Sequence, residues 1–414
     1  MGAGDADADG PADGPASEPA AVRSLLADPR LVSILLLSGV GVFGAQAMSP
    51  ALPAIQAGLG VSDARIGLVM TALFLPSFFM IPVIGAVSDL YGRRRVALVS
   101  LAGFGVAGVA IFFAPSFEVL LALRVVQGLC FGALTPLSVA FIGDFFSGYE
   151  GTTAQGIRAS TNGLVIIVAP ATAGVLAELA WNVPFLLYLT AFPALLFVHR
   201  YFPDTGFDEA ARGSVREEVA GWLTAVGGSL RDPNLLLLIL GGFVLFLVRI
   251  VMFTYAPLFG TRAIGLPIAE VGVLFSLFGV VRIVVAPQAG RIAARLSRRT
   301  TFVVTMAVVA GSMALFAAAR STPTFVAAIV TFAAGMSLFN PTLNDAVTAS
   351  ASPTSRAGVV GAMQSTKSVA NTLGPVVGGL LLTATSFRTL FLVAGGLAVG
   401  YVVLLLVRLE PVTG

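Results

Sequence analysis

Residues 85–95 read Gly85-Ala-Val-Ser-Asp89-Leu-Tyr-Gly92-Arg93-Arg94-Arg95, and residues 290–299 read Gly290-Arg-Ile-Ala-Ala294-Arg295-Leu-Ser297-Arg298-Arg299. Both are short charged turns between long apolar runs, and they stand 205 residues apart. Other landmarks recur at the same offset. Ala169-Pro170-x-x-Ala173-Gly174 returns as Gly374-Pro375-x-x-Gly378-Gly379, Thr135-Pro136 as Asn340-Pro341, and Ser160-Thr161 as Ser365-Thr366. Gly60 and Gly67 return as Gly265 and Gly272. Asp28-Pro29 and Asp232-Pro233, one residue out of phase, each read as an N-cap followed by proline at the first helical position. A single short match carries little weight, but several at one offset mean a duplicated half.

Between the landmarks the chain is apolar. Of 414 residues, 57% belong to the hydrophobic set and only 11% are charged, with a mean hydropathy of +0.94. A soluble domain carries about 25% charged residues, so a soluble globular enzyme is excluded. Disorder throughout, a collagen-like repeat and a disulfide scaffold are excluded too, Cys130 being the single cysteine. A membrane-crossing helix needs about 20 apolar residues. Such runs fall at 31–55, 66–88, 96–114, 119–142, 157–179 and 183–202, then at 234–256, 269–290, 301–319, 324–346, 359–384 and 388–408. The expected fold is an all-α polytopic membrane protein with twelve transmembrane helices in two parallel six-helix repeats, since six crossings return the chain to its starting side.

Charge sets the orientation. With the N-terminus inside, thirteen arginines fall in cytoplasmic loops, among them Arg93–Arg95, Arg158, Arg200 and Arg291–Arg299, and four fall in the opposite loops. The positive-inside rule then places both termini in the cytoplasm of a multi-pass protein of the cell membrane. Along the chain we expect a disordered acidic cytoplasmic tail (1–27), a six-helix bundle (28–202), a linker (203–231), a second bundle (232–409) and a short tail (410–414). The tail lacks the basic start and apolar stretch of a secretory signal. Within the linker, Ser214-Val-Arg-Glu217 is a capping box. Val215, Val219, Trp222, Leu223, Val226 and Leu230 follow at helical spacing, which predicts an amphipathic helix on the membrane surface or beneath the bundle.

Two six-span halves, a basic loop after span 2 and its degenerate copy after span 8 resemble the major facilitator superfamily of secondary transporters. The likeness covers about residues 28–409. The family's loop reads Gly-x-x-x-Asp-basic-x-Gly-basic-basic; Leu90 replaces the first basic residue, and the second copy keeps it as Arg295 but has Ala294 for the acid. Arg124-x-x-Gln127-Gly128 resembles the family's proton-coupling motif. The Pro170 and Pro375 segments resemble its antiporter motif, with Ala169 and Ala173 in place of glycines. Trp181-Asn182 resembles a Trp-Arg pair without the arginine. The resemblance implies a drug- or metabolite-efflux type of carrier.

The residues themselves suggest three groups. Gly85, Asp89, Gly92, Arg93 and Arg94 form a candidate cytoplasmic gate, with Asp89 expected to cap or charge-pair across the two halves when that side is closed. Pro170, Gly174, Gly374, Pro375, Gly378 and Gly379 are candidate kink and close-packing positions. Arg124, Arg249, Arg282 and Lys367 are charges within apolar runs, each costing about 2.5–3.5 kcal/mol at a helix centre, so each should face the interior or water. With Gln127, Asn162, Asn340 and Asn371 they form the candidate substrate and proton pathway; Gln46, Asn344 and Gln364 add further amides. No carboxylate lies deep in a span, which favours an anionic or neutral amphiphilic substrate. Lys367 is the only lysine, and an ammonium can give up its proton where a guanidinium cannot.

The function these features support is secondary active transport of a small organic solute by alternating access, with proton-coupled efflux of an amphiphilic drug or metabolite preferred. Uptake or uniport of an organic anion is the alternative, and a transport-dead sensor a remote one. His199 and Cys130 leave metal or Cys/His catalysis without parts, and no phosphate-binding glycine loop is present. The expected partners are a solute, protons and the bilayer, with no metal, cofactor or nucleic acid, for a protein acting as a monomer.

Overall fold

The computed structural model describes residues 18–203, 220, 224, 227, 233–350 and 356–408, and every regular element among them is helical. The first set comprises α1 (Glu18–Ala27), α2 (Pro29–Gln46), α3 (Met48–Leu59), α4 (Asp63–Ile66), α5 (Leu68–Tyr91), α6 (Arg93–Ala110), α7 (Phe117–Phe145), α8 (Gly148–Leu179) and α9 (Ala191–Tyr201). The second comprises α10 (Pro233–Phe259), α11 (Ile268–Val285), α12 (Ala289–Arg295), α13 (Arg298–Ala318), α14 (Thr322–Ser350), α15 (Arg356–Ala384) and α16 (Phe387–Arg408). Local chemistry sets several ends. Asp28 caps α2, its Oδ1 accepting the Arg30 backbone N–H at 2.7 Å. The Arg30 side chain holds that carboxyl below its ordinary value. Ser116 and Ser297 cap α7 and α13 in the same way. Repeat mates Gly60 and Gly265 both turn the chain in the left-handed region, at φ 63° and 83°, where a Cβ would be strained.

Eleven helices among the described residues are long and apolar enough to cross a membrane. At the place of the expected eleventh span, α15 has 29 residues but is too polar to join them, with Gln364 to Ser368, Asn371 and Thr372 along its middle. The fifth span begins at Gly148 rather than 157. Arg158 therefore lies inside a helix, roughly 15 Å along its axis, and not in a loop. Residues 18–27, expected as disordered tail, form α1, because Leu25 is buried against the bundle at 5% exposure. The capping box at Ser214–Glu217, the apolar face from Val215 to Leu230, and the tails 1–17 and 409–414 lie outside the described residues. On the outside, Val99, Phe113 and Val407 are 70%, 74% and 75% exposed, a surface suited to acyl chains rather than water.

Close approaches between the two sets come in pairs related by the 205-residue offset. A Cβ built on Gly272 in α11 would lie 2.6 Å from the Pro170 carbonyl oxygen in α8; one on Gly67, just before α5, would lie 2.6 Å from the Pro375 carbonyl oxygen in α15. Ser276 donates its hydroxyl to the Ile167 carbonyl, and Thr71 donates to the Thr372 carbonyl at 3.0 Å. In both cases one pair is the other moved by the offset. Beyond them Arg262 pairs with Asp63 at 2.6 Å and bonds Gln56, while the Ala269 N–H donates to Glu178 at 3.0 Å. These contacts close one end of the interface, hereafter the sealed end. The turns at Gly92 and Ser297 mark the opposite, basic end.

Replacing Gly67 or Gly272 by leucine should therefore cost about 1–3 kcal/mol by overpacking. Thermal unfolding of the purified variants should show a clear drop for each, whereas Gly311→Leu, whose Cβ meets nothing within 4 Å, should match the parent. Equal midpoints for all three would remove the seal from this account.

Candidate functional site

At the basic end, Gly85 and Asp89 are exposed on the last turns of α5, and buried Gly92, at φ 86°, breaks the chain into α6. Asp89 lies 3.5 Å from Arg93, which also bonds Asp144 at the end of α7. Arg94 donates to the His199 carbonyl at 2.6 Å. The cross-half pairing of Asp89 is expected of a state closed at this end; in this arrangement its charge partner stands four residues on in the same half, and Asp144 on the adjacent helix also holds that arginine. This turn is a local charge cluster of the first set.

The proline–glycine segments sit in the seal described above. Pro170, Gly174, Gly374, Pro375, Gly378 and Gly379 are all buried. A Cβ on Gly174 would come within 2.8 Å of Gly272 Cα, and one on Gly379 within 2.5 Å of the Ala64 carbonyl. Side chains on Gly374 and Gly378 would overlap Ile250 and Tyr255, and the Tyr255 hydroxyl donates to the Pro375 carbonyl. These residues permit close backbone approach.

Arg124 and Gln127 stand apart from the other pathway candidates. Both are 0% exposed in α7. Arg124 Nη1 donates to Gln127 Oε1 at 3.2 Å and to the Tyr188 hydroxyl at 3.0 Å, with Phe185 and Tyr188 rings 5.5 and 5.8 Å from the guanidinium carbon. Gln127 in turn donates to the Phe104 carbonyl at 3.2 Å, and Tyr188 to the Gly44 carbonyl at 3.3 Å. Nε and Nη2 of Arg124 have no hydrogen-bond partner among the described residues.

The second set gathers the remaining cations. Arg249 in α10 stacks on Phe253, one turn nearer the sealed end, at 4.9 Å. Phe253 meets Phe278 of α11 edge-on at 5.1 Å, and Arg282 follows Phe278 by one turn. The two arginines thus flank one aromatic contact on the same side, near enough to oppose each other's charge. Lys367 in α15 shares the Phe246 ring with Arg249, at 5.0 and 5.7 Å, and donates to Asn344 at 3.0 Å and Asn340 at 3.3 Å. Arg249 reaches Asn371 at 3.5 Å. Arg282 is exposed although Phe275, Phe278 and Gly279 on its face are buried, and its guanidinium has no hydrogen-bond or ion-pair partner among the described residues. None of these three cations has a carboxylate partner there.

In the first set, Asn162 bonds Ser38 at 2.9 Å, and Arg158 bonds Ser38 at 3.3 Å and Gln155 at 3.0 Å. Sequence reading missed Ser38, Arg158, Tyr188 and the rings. Phe246 and Phe253 had a signal: with Arg249 they occupy i, i+3 and i+7 of one helix face. Ser38 had none.

A family model described as Major Facilitator Superfamily matches residues 34–268 and 261–414. The chain belongs to the major facilitator superfamily. The bacillibactin exporter of Bacillus subtilis (strain 168) is 30% identical over 155 residues, 35% of this chain and 38% of that protein. Puromycin resistance protein pur8 of Streptomyces alboniger is 33% identical over 210 residues, 49% of this chain and 41% of that one. The tetracycline resistance protein, class C, of Escherichia coli is 30% identical over 140 residues, 33% of this chain and 35% of that protein. The match thus spans about two fifths of each curated relative or less. Among solved structures, the nucleoside transporter NupG superposes with a TM-score of 0.77 at 14% identity, covering 92% of this chain and all of that one. A bacterial homologue of the lysosomal transporter Spinster gives 0.72 at 16% identity, covering 95% of this chain and 96% of that one. These two likenesses establish the facilitator fold.

In this facilitator Arg124 should act on stability. Tyr188→Phe strands one guanidinium donor and the Gly44 carbonyl, each buried, at about 1–3 kcal/mol per group. Arg124→Ala should lower the melting temperature further than Tyr188→Phe. If both variants melt with the parent, Arg124 is not a structural cation.

Proposed function

We propose that this facilitator is a secondary active carrier that exports a small amphiphilic organic solute from the cytoplasm in exchange for protons. The observation that carries the reading is a cluster of cations, amides and aromatic rings within the second set of helices, beside an interface between the two sets that is closed at one end by repeat-related contacts. Facilitator membership supports carriage. The names of the relatives, one an exporter and two antibiotic-resistance proteins, support the outward direction.

The arginine-rich basic end faces the cytoplasm of a cell-membrane protein under the positive-inside rule, which puts both termini there. Contacts at the sealed end join the two halves, whereas the Asp89–Arg93–Asp144 and Arg94–His199 contacts stay within one. In this reading the arrangement is a carrier open to the cytoplasm, and alternating access exchanges one closed end for the other by rocking the halves. The carrier works as a monomer. Of the three cations in the second set only Lys367 can release a proton, so exchange passes through it.

The experiment is flux in proteoliposomes under an imposed pH gradient, with a compound selected by thermal-shift screening. Acid on the side opposite the basic end should accelerate export by the parent. Lys367→Arg should insert and melt normally yet lose most flux, and Lys367→Gln should flatten its pH dependence. A Lys367→Arg carrier with parental rate and pH profile would falsify the proton role.

A further inference from the structure

We infer that the solute of this facilitator is an organic anion, its acidic group docking between Arg249 and Arg282 and its apolar body lying along Phe246 and Phe253; the inference rests on the carrier reading above and names the chemistry of its substrate. Arg282 carries a guanidinium with five N–H donors and engages no protein group among the described residues. Arg249 uses one nitrogen on Asn371 at 3.5 Å, leaving most of its fork unspent. Both stand one turn to the same side of the Phe253–Phe278 contact, on antiparallel neighbours α10 and α11.

The contrast with Arg124 separates a site from a structural feature. That arginine is fully enclosed, held by Gln127 and Tyr188 and stacked on two rings. Arg282 is exposed, so a solute can reach it. Lys367 adds a third positive charge beside Phe246 but has committed hydrogen bonds to Asn340 and Asn344. It deepens the positive potential without competing for the docking position.

Charge selects among solutes. A cationic solute would meet three like charges with no carboxylate among the described residues paired to offset them. A neutral one could accept single N–H bonds but would leave the positive charge of both guanidinium groups unbalanced. A carboxylate or similar planar acid accepts paired N–H bonds from a guanidinium and relieves the repulsion between Arg249 and Arg282. The ring faces that already stack on Arg249 continue as an apolar wall, which asks for an aromatic or aliphatic body rather than a small hydrophilic acid.

The test uses three probes with the same bicyclic body: 2-naphthoate, 2-naphthamide and 2-naphthylmethylammonium. Calorimetry on the purified, full-length protein reads binding, and release from proteoliposomes above protein-free controls reads transport. Naphthoate should bind roughly tenfold or more tighter than the amide, and Arg249→Gln and Arg282→Gln should each weaken it by a similar factor. Arg249→Lys keeps the charge and should keep the preference for naphthoate, which separates a lost docking group from a misfolded carrier. Amide or ammonium binding as tightly as naphthoate, no binding of any probe, or naphthoate binding untouched by both glutamine variants overturns the anion assignment. If naphthoate binds as expected but no probe is released, the anion site stands and the carrier reading fails.

Discussion

Everything else in the molecule hangs on how closely two pairs of helices approach where a proline carbonyl meets a glycine. Pro170 against Gly272 and Pro375 against Gly67 are the same contact made twice, once in each direction across the interface. Backbone can come this near only where no Cβ intervenes, and van der Waals packing at that distance joins helices in a solvent as apolar as their own side chains. The contact fixes where α8 meets α11 and where α15 meets α5. From those joints α10 and α11 run toward the basic end and carry Arg249 and Arg282 to one depth, roughly 20 Å from the sealing pair of Arg262 and Asp63 at about 1.5 Å per residue.

Two kinds of interior cation result, and their surroundings differ in kind. Arg124 sits within one half, where hydroxyl, amide and ring groups stand in for water. Arg249, Arg282 and Lys367 belong to the other half; Arg249 and Lys367 face amides and rings, and none of the three has a carboxylate partner among the described residues. The repeat mate of Lys367 is Asn162, which bonds Ser38 instead. The duplication has kept the joints alike while the linings diverged, so the interior is positive on one side and neutral or weakly basic on the other.

Sequence reading reached the fold because the signals that set it are local and repeated: apolar runs, turns at Gly60 and Gly265, a basic loop and its copy, a common offset. It found the cations for the same reason, since each interrupts an apolar run. It could not say that Arg124 is enclosed while Arg282 is open, because both read as one arginine in an apolar stretch and the difference lies in which helix comes alongside. The partner of Asp89 was hidden likewise, depending on Asp144 lying next to Arg93. The start of α8 was missed because Gly148 to Gly156 is polar and glycine-rich, and only tertiary packing carries a helix through it. Ser38, a small residue between Leu37 and Gly39, carries no pattern at all.

The pair formed by Arg262 and Asp63 is half open to water, at 45% and 35% side-chain exposure. Exposed pairs of this sort are worth about 0–1 kcal/mol, and both groups regain hydration when they part. The hydroxyl-to-carbonyl bonds behind them are likewise replaceable by water. A barrier built from such pieces is cheap to open, as two end states within a few kcal/mol of each other would require. For the proposed carrier, separating this end then asks for no more free energy than solute binding can supply.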